Sequence, residues 1–199
     1  MSNKIGEPIT ERDAYFAGLI FADGYFQNLE KSWSTSIRLE MKDREIVEEF
    51  RRWVGGSCIT HRSARGKDQK DKFRSGAAND SAFRFLDEHG VVSKVQVSPT
   101  LANNKHFWRG FVDGDGALTI REYTPSIRAW NNSPVILEQI RAYSVCFENC
   151  SVRRRDGCYG IEAKSNCAGR LVVKLYSDAS VYLNRKFETA QKIASINGS

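Results

Sequence analysis

One segment of this chain occurs twice. Phe16-Ala-Gly-Leu-Ile-Phe-Ala-Asp-Gly24 aligns with Trp108-Arg-Gly-Phe-Val-Asp-Gly-Asp-Gly116, so Asp23 falls over Asp115 at an offset of 115 − 23 = 92 residues. Ser36-Ile-Arg38 then recurs as Ser126-Ile-Arg128, at an offset of 128 − 38 = 90. Two matches in the same order at nearly the same spacing point to two copies of one unit, which settles the architecture before any local assignment. A chain of 199 residues, 41% of them hydrophobic, has enough apolar material to give both copies a core.

Patterning within the copies is parallel. Residues 11–22 have helical apolar spacing, and strands follow over 24–30 and 34–41, where Ile37, Leu39 and Met41 alternate with Ser36, Arg38 and Glu40. A helix starts at Asp43, runs through Ile46, Val47, Phe50 and Trp53, and stops at Gly55-Gly56. Strands over 57–63 and 70–77 and a helix over 80–89 complete the first copy. The second copy reads as strands 117–123 and 126–131, a helix from Ser133 to Phe147, strands 151–155 and 158–164, and helices 167–176 and 181–194. The expected fold is α+β, with one half over 1–90, a linker over 91–104 containing Ser98-Pro99, and a second half over 105–199.

Small residues stand four apart in each repeated segment, Gly18 with Ala22 and Gly110 with Gly114, and therefore share a helix face along which two backbones can approach closely. Leu19, Ile20, Phe111 and Val112 are left to pack on each half's own sheet. If the two helices pair about a pseudo-two-fold axis, Asp23 and Asp115 emerge together at their ends. Carboxylates held that way repel unless a cation lies between them, and acid oxygens with water are the ligands Mg²⁺ prefers. For either Asp-Gly alone, ordinary turn chemistry is the simpler reading; for the pair in matching helices, the metal reading is stronger. An EF-hand at Asp113-Gly-Asp115 fails, because Ala117 occupies the third ligand position.

Lys and Arg number 30 against 24 Asp and Glu, a net charge of +6 with a pI near 9.1, which suits a polyanionic partner. No apolar run approaches the roughly 20 residues of a membrane helix, and Met1 to Arg12 has no apolar signal stretch, so an intracellular protein is expected. Five cysteines without a CxxC pair read as reduced thiols, with a zinc site among the last four the lesser alternative.

These residues resemble the LAGLIDADG homing endonucleases, in the single-chain form that carries two motifs. The resemblance spans nearly the whole chain, including Ser36-Ile-Arg-Leu-Glu-Met-Lys-Asp43 and Tyr182-Leu-Asn-Arg-Lys186. It implies two αββαββα halves with saddle-shaped antiparallel sheets over the DNA major groove and the motif helices as the interface. It also implies that Asp23 and Asp115, with the carbonyls of Ala22 and Gly114, bind Mg²⁺, with Ca²⁺ or Mn²⁺ as substitutes. Cleavage across the minor groove leaving short 3′ overhangs, and a host intron or intein, follow from the same resemblance. Phe21 stands where the family motif has Asp, and Arg109 replaces a small residue and reads as a tolerated surface contact. The family places a basic residue near each scissile phosphate late in the fourth strand. Lys164 stands there in the second half, an ordinary solvated lysine being the alternative; the matching place in the first half is nearer Ala77, with Arg74 or Lys72 the closest basic groups.

Strand residues facing away from the core would read base edges, where Arg suits guanine and Gln or Asn suits adenine. The candidates are Gln27, Ser36, Arg38, Glu40, Lys72 and Arg74 in the first half and Thr119, Arg121, Arg128, Trp130, Arg153 and Arg155 in the second. Each could equally be a solvated sheet face. The run Arg153-Arg-Arg155 and the charged turn Lys67 to Lys72 suit phosphate. The expected enzyme is a monomer that hydrolyses double-stranded DNA. The rivals are a DNA-binding relative that no longer cuts and a maturase that binds host intron RNA.

Overall fold

A computed structural model describes residues 5–29, 34–64, 71–155 and 157–197. In the first half, α1 (Glu11–Asp23) leads into β1 (Tyr25–Leu29), β2 (Ser34–Met41), α2 (Arg44–Val54), β3 (Thr60–Arg62), β4 (Lys72–Ala78) and α3 (Asp80–Glu88). A short α4 (Pro99–Ala102) precedes the second half, which runs α5 (Lys105–Asp115), β5 (Gly116–Arg121), β6 (Thr124–Asn131), α6 (Pro134–Tyr143), β7 (Arg153–Arg155), β8 (Cys158–Lys164), α7 (Ser165–Tyr176) and α8 (Asn184–Asn197). The strands form two four-stranded antiparallel sheets of identical topology, β1-β2-β4-β3 and β5-β6-β8-β7. The repeat in the sequence is therefore a repeat in space.

Local chemistry sets the element ends. Thr10 and Asp13 form a reciprocal capping box at the start of α1, and the second Asp13 oxygen accepts from the Trp53 indole at 2.8 Å, tying α1 to α2. Gly55 ends α2 in the left-handed conformation at φ 76°. Asp43 is the N-cap of α2, but its carboxylate accepts from Arg185 Nε at 3.1 Å instead of from the helix backbone. The expected helix from Ser133 to Phe147 is broken: α6 stops at Tyr143, and extended Ser144 caps a separate 3₁₀ turn over Val145–Phe147. The expected linker is not a bare tether, because Val91, Val97 and Leu101 are buried in the core.

The two motif helices, α1 and α5, cross in direct backbone contact. A methyl group on Gly18 would lie 2.0 Å from the Phe107 carbonyl oxygen, and one on Gly110 would lie 2.0 Å from that of Tyr15. No side chain fits at either crossing point. Leu19, Ile20, Phe111 and Val112 are fully buried around it.

Arg109 corrects the surface reading: its exposure is 0%. A buried guanidinium is tolerable only when its N–H groups find acceptors. Arg109 donates to Val181 O and Leu175 O, both at 3.0 Å, and to the Glu11 carboxylate, while its plane lies 5.5 Å from the Tyr15 ring centre. Asp113, one turn further along α5, is equally buried and accepts from Tyr15 Oη at 2.8 Å, Tyr176 Oη at 2.6 Å and the Leu183 amide at 2.8 Å. The matching positions in α1 are Ala17 and Phe21, and Phe21 packs edge-on against Phe107 and Phe111. One half holds the interface with aromatic edges, the other with a polar cluster.

Candidate active site and nucleic-acid interface

Asp23 and Asp115 are the last residues of the crossed helices. A methyl on Gly114 would lie 2.4 Å from Ala22 Cβ and 3.1 Å from Asp23 Oδ2, so the Asp23 carboxylate rests against the turn that presents Asp115. Asn131, at the end of β6, donates to Asp115 Oδ2 at 2.8 Å. The register-equivalent residue in the first half is Met41, which has no such donor. Burial raises both acids above the ordinary carboxylate range; Asp115 reaches about 6, with the negative charge of Asp23 adding to the rise.

Two lysines that the strand-based reading missed face these acids. Lys94 Nζ donates to Gly24 O. Lys186 Nζ donates to Gly116 O at 2.8 Å, to Asp113 O at 2.7 Å and to Val112 O. The two lysines are 186 − 94 = 92 residues apart, the spacing of Asp23 and Asp115, and the carbonyls they hold are 116 − 24 = 92 apart. Each half thus presents one acid and one lysine at the end of its motif helix. The signal was available in the sequence as a third match at the same offset, and Lys186 closes the quoted stretch Tyr182 to Lys186. Burial depresses both ammonium groups, Lys186 to about 8, while the nearby carboxylates oppose the fall.

Lys164 does not join this cluster. It pairs with Ser126, three residues along β6 from the Ala129 that faces Gly116, which places it about 10 Å further along the sheet than the end of α5. Its counterpart across β2 is Ala78, one residue beyond the Ala77 expected, because Ala78 is the residue opposite Ser36. The misplacement has a simple cause: β8 runs away from the helix ends, so its last residue is the one furthest from them.

The outward faces of the sheets collect the other candidates. Register puts Gln27, Ser36, Arg38, Glu40, Arg74 and Lys72 on one face, and Thr119, Arg121, Arg128, Trp130, Lys164 and Arg153 on one face of the other sheet. Gln27, Lys72, Arg121 and Arg153 are exposed. Ser36 is only 4% exposed and receives Arg38 Nε at 3.3 Å, so it steadies Arg38 instead of presenting its own hydroxyl. Thr119 Oγ1 shares a 2.7 Å hydrogen bond with Ser126. Lys72 and Arg74 both pair with Glu40. The Arg155 side chain and residues 67–70 of the charged turn lie outside the described residues.

Two crossed helices, each ending in an acid, set between two matching antiparallel sheets with basic outward faces define a class: the chain has the LAGLIDADG homing endonuclease fold. The LAGLIDADG meganuclease I-AabMI, solved bound to uncleaved DNA, superimposes with a TM-score of 0.64 at 10% identity over 96% of this chain and 91% of that one. The homing endonuclease I-WcaI, bound to its DNA recognition sequence, gives 0.65 at 15% identity over 89% and 85%. The I-LtrWI LAGLIDADG homing endonuclease, bound to target DNA, gives 0.60 at 12% identity over 94% and 90%. No family model matches the sequence, and no curated protein matches it.

Proposed function

We propose that the chain is a divalent-metal-dependent endonuclease that binds a long asymmetric duplex site and hydrolyses one phosphodiester in each strand, leaving short 3′ overhangs. The observation that carries this reading is the convergence of Asp23 and Asp115, each with its own lysine, at the ends of two helices that lie between the sheets. Similarity to proteins whose solved structures hold DNA supports the partner.

The donor set fits a hard cation. Burial raises Asp115 and the nearby charge of Asp23 adds to the rise, a repulsion that a bound cation would relieve, and among the described residues no group of three or more His, Cys, Asp or Glu side chains forms a cage. Two acids beside the carbonyls of the residues that precede them, Ala22 and Gly114, leave coordination positions for water and phosphate, the arrangement Mg²⁺ accepts. Such an ion, when bound, lowers the pKa of its water and neutralises charge on the scissile phosphate. Asp23 and Asp115 hold it in place; Lys94 and Lys186, fixed to helix-end carbonyls, set positive charge beside the phosphates. Because both acids belong to one chain, a monomer carries both cuts, and two unlike sheets call for an asymmetric target.

The test is incubation of the purified chain with a library of randomised duplexes in Mg²⁺, with ends sequenced. Specific double-strand breaks are expected, lost on adding chelator, and Lys94→Met should slow them by about 10²-fold while leaving duplex binding within a few fold. Sequence-specific binding without breaks would make the chain a non-cleaving relative and overturn the assignment.

The raised Asp115 carboxyl also predicts a pH dependence. Metal must displace its proton, so apparent Mn²⁺ affinity should fall about tenfold for each pH unit below 6, where an ordinary carboxylate would hold its affinity down to about 4. Without metal the folded acid keeps its proton up to about 6 while the unfolded one releases it near 4. Its contribution to stability is therefore present at low pH and lost as pH rises through 6. A Mn²⁺ titration at pH 5 and pH 7 that gave equal affinities would remove Asp115 from the ligand set.

A further inference from the structure

The outward face of the second sheet carries an acid where a DNA-binding surface should want none. Glu162 stands opposite Arg128 on neighbouring strands, with Arg128 Nε 3.2 Å from Glu162 Oε1 and Lys164 Nζ 3.5 Å from Glu162 Oε2. On its other side the Arg128 guanidinium lies 5.7 Å from the centre of the Trp130 ring. That ring lies close against Gly160, where an added methyl would come within 2.8 Å of Trp130 Cδ1. Arg128 is therefore gripped between a carboxylate and an aromatic ring, while Nε itself is buried without a hydrogen bond of good geometry. The first sheet has the same device at a different place: Glu40, on the middle strand, pairs with Arg74 and Lys72 across β4. Arg38, which occupies the position of Arg128 there, faces Gly76 and takes its support from Ser36.

Neither acid adds affinity for a polyanion, since each pairs with two cations, offsets one of their two charges and repels phosphate. What an acid does supply is immobility. A freely rotating arginine satisfies any nearby phosphate, whereas one confined between a carboxylate and an aromatic ring offers only its planar outer edge, the edge that meets guanine with two parallel hydrogen bonds. We propose that Glu162 is a specificity-determining positioning residue: it sacrifices non-specific attraction to hold Arg128 in the one orientation that discriminates a base pair. The inference rests on the duplex-binding reading and names the residue that sets its selectivity in the second half.

The test uses the full chain and duplexes selected by the wild type from a randomised library in the absence of Mg²⁺. For Glu162→Gln, non-specific duplex should bind more tightly. The salt dependence should steepen by about one to two units in log Kd against log salt, because Arg128 and Lys164 are released to phosphates at about 0.9 each. Preference at a single base pair should fall about tenfold. Glu162→Asp keeps the charge but withdraws it from Arg128, and should lose the same preference without the gain in non-specific binding. Arg128→Lys should lose preference at that same base pair. A merely structural role would weaken all duplexes together, so uniform weakening, or unchanged preference in both Glu162 variants, overturns the proposal. Failure of the wild type to select any sequence would instead remove the duplex-binding reading beneath it.

Discussion

Asp23→Asn and Asp115→Asn should each cut double-stranded substrate at least about 10²-fold to 10³-fold more slowly, the range seen when one preorganised charge-stabilising group is removed. Binding should survive, because the basic outward faces of the sheets, proposed above to meet the duplex, are untouched and a negative charge has gone from the helix ends. A second readout moves the other way. Burial raises both carboxyls in the metal-free protein, and the charge of Asp23 adds to the rise at Asp115, so replacing either with a neutral amide should raise the thermal midpoint at neutral pH. Plasmid cleavage, gel shift and a melting curve on the same preparations check all three. Full cutting by either variant would remove these residues from the chemistry.

Gly110→Ala, like Gly18→Ala at the facing position, should be severely damaging for so small a substitution. Alanine is the better helix former by about 1 kcal/mol, which by itself would stabilise α5. Against this, its methyl would lie 2.0 Å from the Tyr15 carbonyl oxygen and 2.9 Å from the Leu19 amide nitrogen. Both are backbone atoms of the opposing helix and cannot rotate away, so α1 and α5 must separate. A net loss of about 3 kcal/mol is expected, at the upper end for overpacking. For a chain of this size that corresponds to a fall of roughly 6–12 °C in midpoint. Because the acids hang from the ends of these helices, cleavage should fall with it even below the melting transition. A midpoint within a degree or two of wild type would show that the helices do not cross where the geometry puts them.

The architecture was legible because its signals are local or periodic. The 92-residue offset located the acids, the alternation of Ile37, Leu39 and Met41 gave the buried face of β2, and Gly55 marked the end of α2. Tertiary context was not legible. Arg109 reads as a surface residue until Val181, Leu175 and Glu11, all distant in sequence, come around it. Lys164 was placed by its position in a strand, and only the antiparallel register shows which end of β8 lies by the helices. Lys94 and Lys186 lie outside the strands, where alternation gives no signal, although the 92-residue offset relates them. Glu162, an acid on a basic face, has meaning only once its cross-strand partners are known.

The polar cluster around Arg109 and Asp113 makes the two halves non-interchangeable. Arg109 takes its acid from Glu11, and Asp113 takes one of its hydroxyl donors from Tyr15, both in the first half. At the offset of 92 the second half offers Asn103 and Phe107 instead. Two copies of the second half brought together would bury each Arg109 without its carboxylate and each Asp113 short of a donor, and such orphaned groups cost several kcal/mol apiece. Anyone grafting one half onto a foreign partner would therefore need to carry Glu11 and Tyr15 across with residues 105–199, or rebuild the seam in apolar residues.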